Sequence, residues 1–273
     1  YEGERCYQPM LAVWAEMNLV LADEFRDGNV PAAYQGLPVA KAAFASLPSN
    51  VNDYYFRGDS ACHEHELIDW LRDEKRLDGP QGFIGFGVSA RMSPALRQAV
   101  EAVPEGQWEA YGKHDSEVTR ECAEVRFVPN EHSEHKDIQP LRYVAIRIRP
   151  RQGGLLNDGT EAKHFAVVTN IREWKPARLL QWHREKAGTI EAVHDVLKNE
   201  LSAGVLPCGR FGANAAWRRR AVRTDNKRTA RKRRGVQGER RKGGQKRPGG
   251  GGSKSEGRWG ERGSKKRGRQ EKG

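Results

Sequence analysis

The sequence predicts an α/β fold that carries a β-rich insertion and ends in a disordered basic tail. Three observations carry this: short apolar strands alternate with amphipathic helices up to residue 104, strand-like segments dominate 105–170, and apolar content collapses after Trp217. The 273 residues suffice for one or two domains with a real core. The formal charge of +12 is unevenly placed. Residues 218–273 hold 23 Lys and Arg against 5 Asp and Glu, whereas residues 1–217 hold 25 against 31, a net −6. A mildly acidic globular part is therefore joined to a strongly basic extension.

The run Met10 to Arg26 reads as a hairpin closed by the turn signal Asp27-Gly28-Asn29. A short helix follows around Val39 to Ala45. The aromatic run Asp53 to Ser60 reads as a strand that finishes in polar residues. His63 to Lys75 places Leu67, Ile68 and Leu71 at helical spacing. Gly82 to Val88 reads as a strand, and Ser93 to Val103 as a helix with Pro94 in its first turn.

Beyond Pro104, strands are predicted at Trp108–Tyr111, Ala123–Val128, Tyr143–Arg149 and Phe165–Thr169, with polar turns over 130–137 and 153–159. In the third of these, Val144, Ile146 and Ile148 fall on one face by the two-residue period. Helices resume at Pro176–Glu185 and Thr189–Leu201. The tail, with 13 glycines and five apolar residues after Trp217, is expected to lack a packed core.

Several classes are excluded. No apolar run approaches the ~20 residues that span a bilayer. No secretory leader opens the chain, and a start at Tyr1 suggests a fragment or a processed product. Cys6, Cys62, Cys122 and Cys208 form no paired motif, so a zinc ribbon or disulfide scaffold is not indicated and a reducing cytoplasm fits best. Gly85-Phe86-Gly87-Val88-Ser89-Ala90 fits a dinucleotide-binding pattern, but no acidic strand end follows at the required distance. Cys62-His63-Glu64-His65 and His132 to His135 hold metal-competent side chains without a partner pair at zinc spacing.

Two candidate positions stand out. On the helix Thr189–Leu201, Glu191, His194, Asp195 and Lys198 share the face opposite Ile190, Val193, Leu197 and Leu201. Glu191 and Lys198 are two turns apart and point almost the same way, though a solvated polar face is the plainer reading of that helix alone. Asp59 ends a strand, where α/β sheets present functional side chains, and shares a face with Tyr55 and Arg57. It equally suits a helix cap.

The run Trp182 to Trp217 closely resembles the end of bacterial insertion-sequence transposases of the DDE type, in the branch whose ribonuclease H-like core is interrupted by a β-strand insertion. The blocks Tyr7-Gln8-Pro9, Leu21 to Asn29, Phe56 to Ser60 and Ala166 to Asn170 agree in order, and the resemblance covers residues 1–226. It implies a ribonuclease H-like mixed sheet flanked by helices. The first part of the core, without its first strand, would occupy 1–104, the insertion 105–170 and the last part with the catalytic helix 171–226. Residues 227–273 would form the disordered tail.

The resemblance also implies chemistry. Asp59 and Glu191 become catalytic carboxylates and ligands of two Mg²⁺ ions, which stabilise the attacking and leaving oxygens of a phosphodiester displacement. Lys198, with Arg184 or Lys186, becomes a DNA contact. The implied partners are insertion-sequence ends and target DNA, bound by a homodimer in the bacterial cytoplasm at the nucleoid.

The chain departs from the pattern at both ends. The family's first catalytic aspartate lies before the block matching Tyr1 to Pro9, and Asp23 and Asp27 are poor substitutes. The chain alone is therefore expected neither to cut nor to join DNA. After the motif Phe211 to Trp217, where an apolar helix is expected, Arg218-Arg219-Arg220 follows, as translation of a purine-rich stretch in another frame would give. Two other readings remain at this stage: a non-catalytic nucleic-acid-binding protein acting through its basic tail, and a metal-dependent nuclease on the same core.

Overall fold

The computed structural model describes residues 6–112, 115, 117–129, 139–150 and 162–243, with burial described up to residue 234. The predicted turns at 130–137 and 153–159, the histidines at 132–135 and the chain beyond 243 lie outside the described residues. Residues 1–231 form one compact unit and 232–273 a second, of which residues 232–243 are described, as helix.

The fold is mixed α/β. Strands β1 (Met10–Trp14) and β2 (Leu19–Glu24) pair antiparallel as a separate hairpin. Its turn is Ala15 to Asn18, not Asp27 to Asn29. Asn18 takes the left-handed conformation at φ 53, which a short amide side chain tolerates better than most. Asp27 instead bridges back to Tyr7.

The main sheet has six strands in the order β3-β4-β8-β7-β6-β5. Strands β3 (Tyr54–Gly58) and β4 (Ile84–Ser89) run parallel, and helix α2 (His65–Arg72) makes the crossover between them. Strands β5 (Glu109–Ala110), β6 (Val118–Val125), β7 (Arg142–Pro150) and β8 (Lys163–Thr169) are antiparallel to their neighbours. Because β8 pairs directly with β4, placing Val168 opposite Val88, the stretch predicted as an insertion extends the core sheet. The Asn170 amide continues that pairing by accepting from Phe86 N–H and donating to the Ile84 carbonyl, both at 2.8 Å.

Both sheet faces are covered. Helices α2 and α3 (Pro94–Glu101) supply Leu67, Leu71, Leu96 and Val100, which pack on Ile84, Phe86, Val88, Tyr143 and Ala145. Helix α1 (Gly36–Ala45) joins that layer through Ala40. On the opposite face, Leu179 and Leu180 of α4 (Pro176–Asp195) meet Cys122, Val144 and Val167. Alternate β7 residues therefore serve opposite layers, as the two-residue period requires. Gly85 and Gly87 leave room on the α4 side. A Cβ at Gly85 would stand 2.7 Å from the Tyr55 ring, and one at Gly87 would stand 3.0 Å from Trp182.

Helix α4 runs unbroken through Gly188, where the sequence suggested two helices, and continues into a π-helical turn, Val196–Glu200. Helix α5 then covers Phe211–Gly243. Residues 227–243, at the start of the stretch expected to be disordered, are described as helix, and residues 218–226 are helical and partly buried. Ala221 and Val222 join Leu11, Val20, Val193 and Leu197 in a third cluster. Asn226 binds the β2 backbone twice, accepting from Val20 N–H at 2.9 Å and donating to Val20 C=O at 2.8 Å. Among the described residues, no helix is long and apolar enough to cross a membrane.

Candidate active site at the end of strand β3

Strand β3 delivers Asp59 to the carboxyl end of the parallel pair, exposed to solvent. Its carboxylate also caps the 3₁₀ turn Ser60–Cys62, with Oδ1 accepting from Ala61 N–H at 3.0 Å. The capping reading of Asp59 is thus realised, and a carboxylate has a second oxygen to offer.

Helix α4 crosses this strand end. Arg57 of β3 donates to the Trp182 carbonyl, reaches Glu185 at 3.4 Å and lies over the Trp182 ring at 5.4 Å. His183 is 5% exposed, and its Nε2 stands 3.0 Å from the Gly58 carbonyl. A carbonyl can only accept, so Nε2 carries the proton. Ser89 Oγ lies 3.4 Å from the same nitrogen, which is therefore unavailable as a base toward that hydroxyl.

Burial, helped by the nearby Lys186 ammonium, drives His183 down to about 4. Lys186 is half-buried, with Nζ 3.3 Å from His183 Nε2. Burial lowers its basicity, and the Asp59 carboxylate is the first charge opposing that fall. The Cys62 thiol is pushed up to about 12, first by burial and then by Asp59, so it is inert at neutral pH.

The structure thus gathers Arg57, Asp59, Cys62, His183 and Lys186. Glu191 lies elsewhere. It sits five residues beyond Lys186, about 7.5 Å along the axis and turned by roughly 140°, so the two side chains leave different sides of α4. Glu191 is exposed and makes no hydrogen bond or ion pair among the described residues.

Lys198 is exposed in the π-helical turn, where Leu201 N–H bonds back to Val196 C=O at 3.0 Å. That wider turn breaks the two-turn alignment of Glu191 with Lys198 expected from a regular helix. Arg184 is exposed, and its charge acts on the Tyr111 hydroxyl.

The fit to a two-Mg²⁺ centre can be judged from these positions. Among the described residues no three His, Cys, Asp or Glu side chains converge. Asp59 lies within electrostatic reach of the Lys186 ammonium, and among the described residues no second carboxylate converges on it. As arranged, these residues do not fit the ion pair that the resemblance implies.

Other candidates resolve into structure. Gly85 to Ser89 lie within β4, so the dinucleotide pattern has no strand-to-helix turn to form. His63 Nδ1 accepts from Arg91 N–H at 3.1 Å, and Glu64 caps α2. Asp23 is taken up by α5, pairing with Arg219 at 3.7 Å and acting on the buried Arg218, while Asp27 accepts from Gly28 N–H at 3.0 Å. The Asn214 amide of the resembling block donates to Cys208 C=O at 2.8 Å.

Sequence reasoning missed His183, which bonds to the Gly58 carbonyl next to Asp59. The single available signal was one histidine among the apolar positions of α4.

No family model matches the chain, and no curated protein matches it significantly.

Proposed function

We propose that the chain is a DNA-transposition protein of the DDE transposase type, built on a ribonuclease H-like core, with Asp59 and Glu191 as its metal-directed carboxylates. In this reading Arg184, Lys186 and Lys198 are DNA contacts, and the chain by itself does not complete strand cleavage or joining.

One observation carries the reading. An exposed aspartate ends the first strand of a parallel pair, and the late helix bearing Glu191 crosses that strand end. A site enclosing a phosphodiester needs carboxylates from two different elements, and Glu191, which leaves another side of α4, would join Asp59 only after that helix turns. The Lys186 ammonium acts on Asp59 through its charge and opposes a cation there.

Water-proton relaxation with Mn²⁺, together with a plasmid-joining assay, tests the reading. Weak Mn²⁺ binding should fall in both Asp59→Asn and Glu191→Gln, with no strand joining by the parent chain. Strand joining by the purified chain would overturn the inactivity. Mn²⁺ binding indifferent to both substitutions would overturn the carboxylate assignment.

A further inference from the structure

The arginine-rich run after Trp217 has two faces once it is helical. Asn214, Arg218, Ala221, Val222 and Asp225 are buried. From Arg219 to Arg231 the exposed residues are Arg219, Arg220, Arg223, Thr224, Lys227 and Arg231. At about 100° per residue, Arg220, Arg223, Lys227 and Arg231 fall within an arc of roughly 80° and span about 16 Å of axis. None of these four forms an ion pair among the described residues. Their neighbours do: Arg219 binds Asp23, and Arg228 binds Glu200 at 2.6 Å. The helix therefore uses flanking cations for ion pairs and leaves a line of four without one among the described residues.

We propose that this line is a docking surface for the phosphate backbone of duplex DNA, held in place by the packing of α5 on the β1-β2 hairpin. The line's span of about 16 Å covers about five phosphate steps of 3.4 Å along one strand, enough for four contacts through long side chains. The scaffold is fixed, because Ala221 and Val222 are core residues and Asn226 is bonded twice to Val20.

An anionic membrane fits less well. Surface-seeking helices insert an apolar face, and the apolar face of α5 is already buried in the protein. The exposed residues from Arg219 to Arg231 include nothing apolar. Contacts confined to phosphates carry no sequence preference. The inference does not rest on the strand-transfer reading, since it uses neither Asp59 nor Glu191.

Fluorescence anisotropy of a labelled 20-base-pair mixed-sequence duplex tests it with the full chain. Four phosphate contacts contribute about −3.6 to the slope of log affinity against log salt, or roughly 150-fold between 50 and 200 mM. Arg220→Gln, Arg223→Gln, Lys227→Gln and Arg231→Gln combined should remove most of that slope, and Arg223→Gln alone about 0.9 of it. Helical circular dichroism should be unchanged, since all four sites are exposed. An equal charge change in the remaining chain, by Gln at Lys254, Arg258, Lys265 and Lys266, should lower the slope much less. Asp59→Asn should leave it intact whether or not the strand-transfer reading holds. Equal losses from the two quadruple variants would reduce the effect to net charge and overturn the proposal. Binding to phosphatidylserine vesicles as tight as to the duplex would overturn the choice of partner.

Discussion

Replacing His183 with glutamine should reduce the acid sensitivity of the fold. The imidazole is 5% exposed and donates from Nε2 to the Gly58 carbonyl at 3.0 Å. Burial and Lys186 hold it down to about 4, against an ordinary value of 6.5. Between those values the unfolded chain binds a proton that the folded chain refuses, so stability rises with pH across the window and falls on acidification. At pH 5 the unfolded histidine is almost fully protonated and the folded one about a tenth protonated. The difference costs about 2 kcal/mol relative to neutral pH, or roughly 4–8 °C in Tm for a chain of this size.

His183→Gln keeps an amide donor for the Gly58 carbonyl but cannot titrate. The difference in urea midpoint between pH 7 and pH 5 should therefore shrink by that amount in the variant. Equal pH sensitivity in the two proteins would refute the assignment of a buried neutral imidazole.

Three further outcomes follow from the packing. Gly58→Ala places a methyl 2.6 Å from Cys62 Cβ and should cost about 1–3 kcal/mol by urea unfolding, with little added cost in a Cys62→Gly background. Asn226→Leu strips the Val20 N–H and C=O of their partners, costing about 1–3 kcal/mol, and should speed exchange of the Val20 amide. Glu105 is held down to about 2 by Arg147 and Arg149. Arg149→Gln should therefore raise its carboxyl titration as followed by NMR.

Local signals in the sequence located most elements. The period-two run of β7, the apolar spacing of α2 and the proline opening α3 each express a preference written in adjacent residues. What escaped was decided at long range. The β4–β8 pairing that joins β5 to β8 to the core sheet links positions about 80 residues apart. Gly188 should weaken a helix, yet Leu179, Leu180 and Val193 anchor α4 on both sides of it. The helix after Trp217 depends on two small apolar residues and one asparagine amide, too few to register as amphipathic among so many arginines.

At the candidate site, Asp59 was legible as a strand-end carboxylate. Its neighbours His183 and Lys186 were not, because they belong to a helix more than 120 residues away. The expected partnership of Glu191 with Lys198 assumed a regular helix, which the π-helical turn interrupts.

In this reading Asp59 is a metal-directed carboxylate whose affinity for a cation is lowered by the charge of Lys186. Mn²⁺ titration of Lys186→Met against the parent chain tests it most directly. Removing one positive charge beside the carboxylate should tighten Mn²⁺ about tenfold, equivalent to ~1.4 kcal/mol in a partly solvated setting, and adding Asp59→Asn should abolish the gain. Unchanged affinity in Lys186→Met, or a gain that survives Asp59→Asn, would contradict the account.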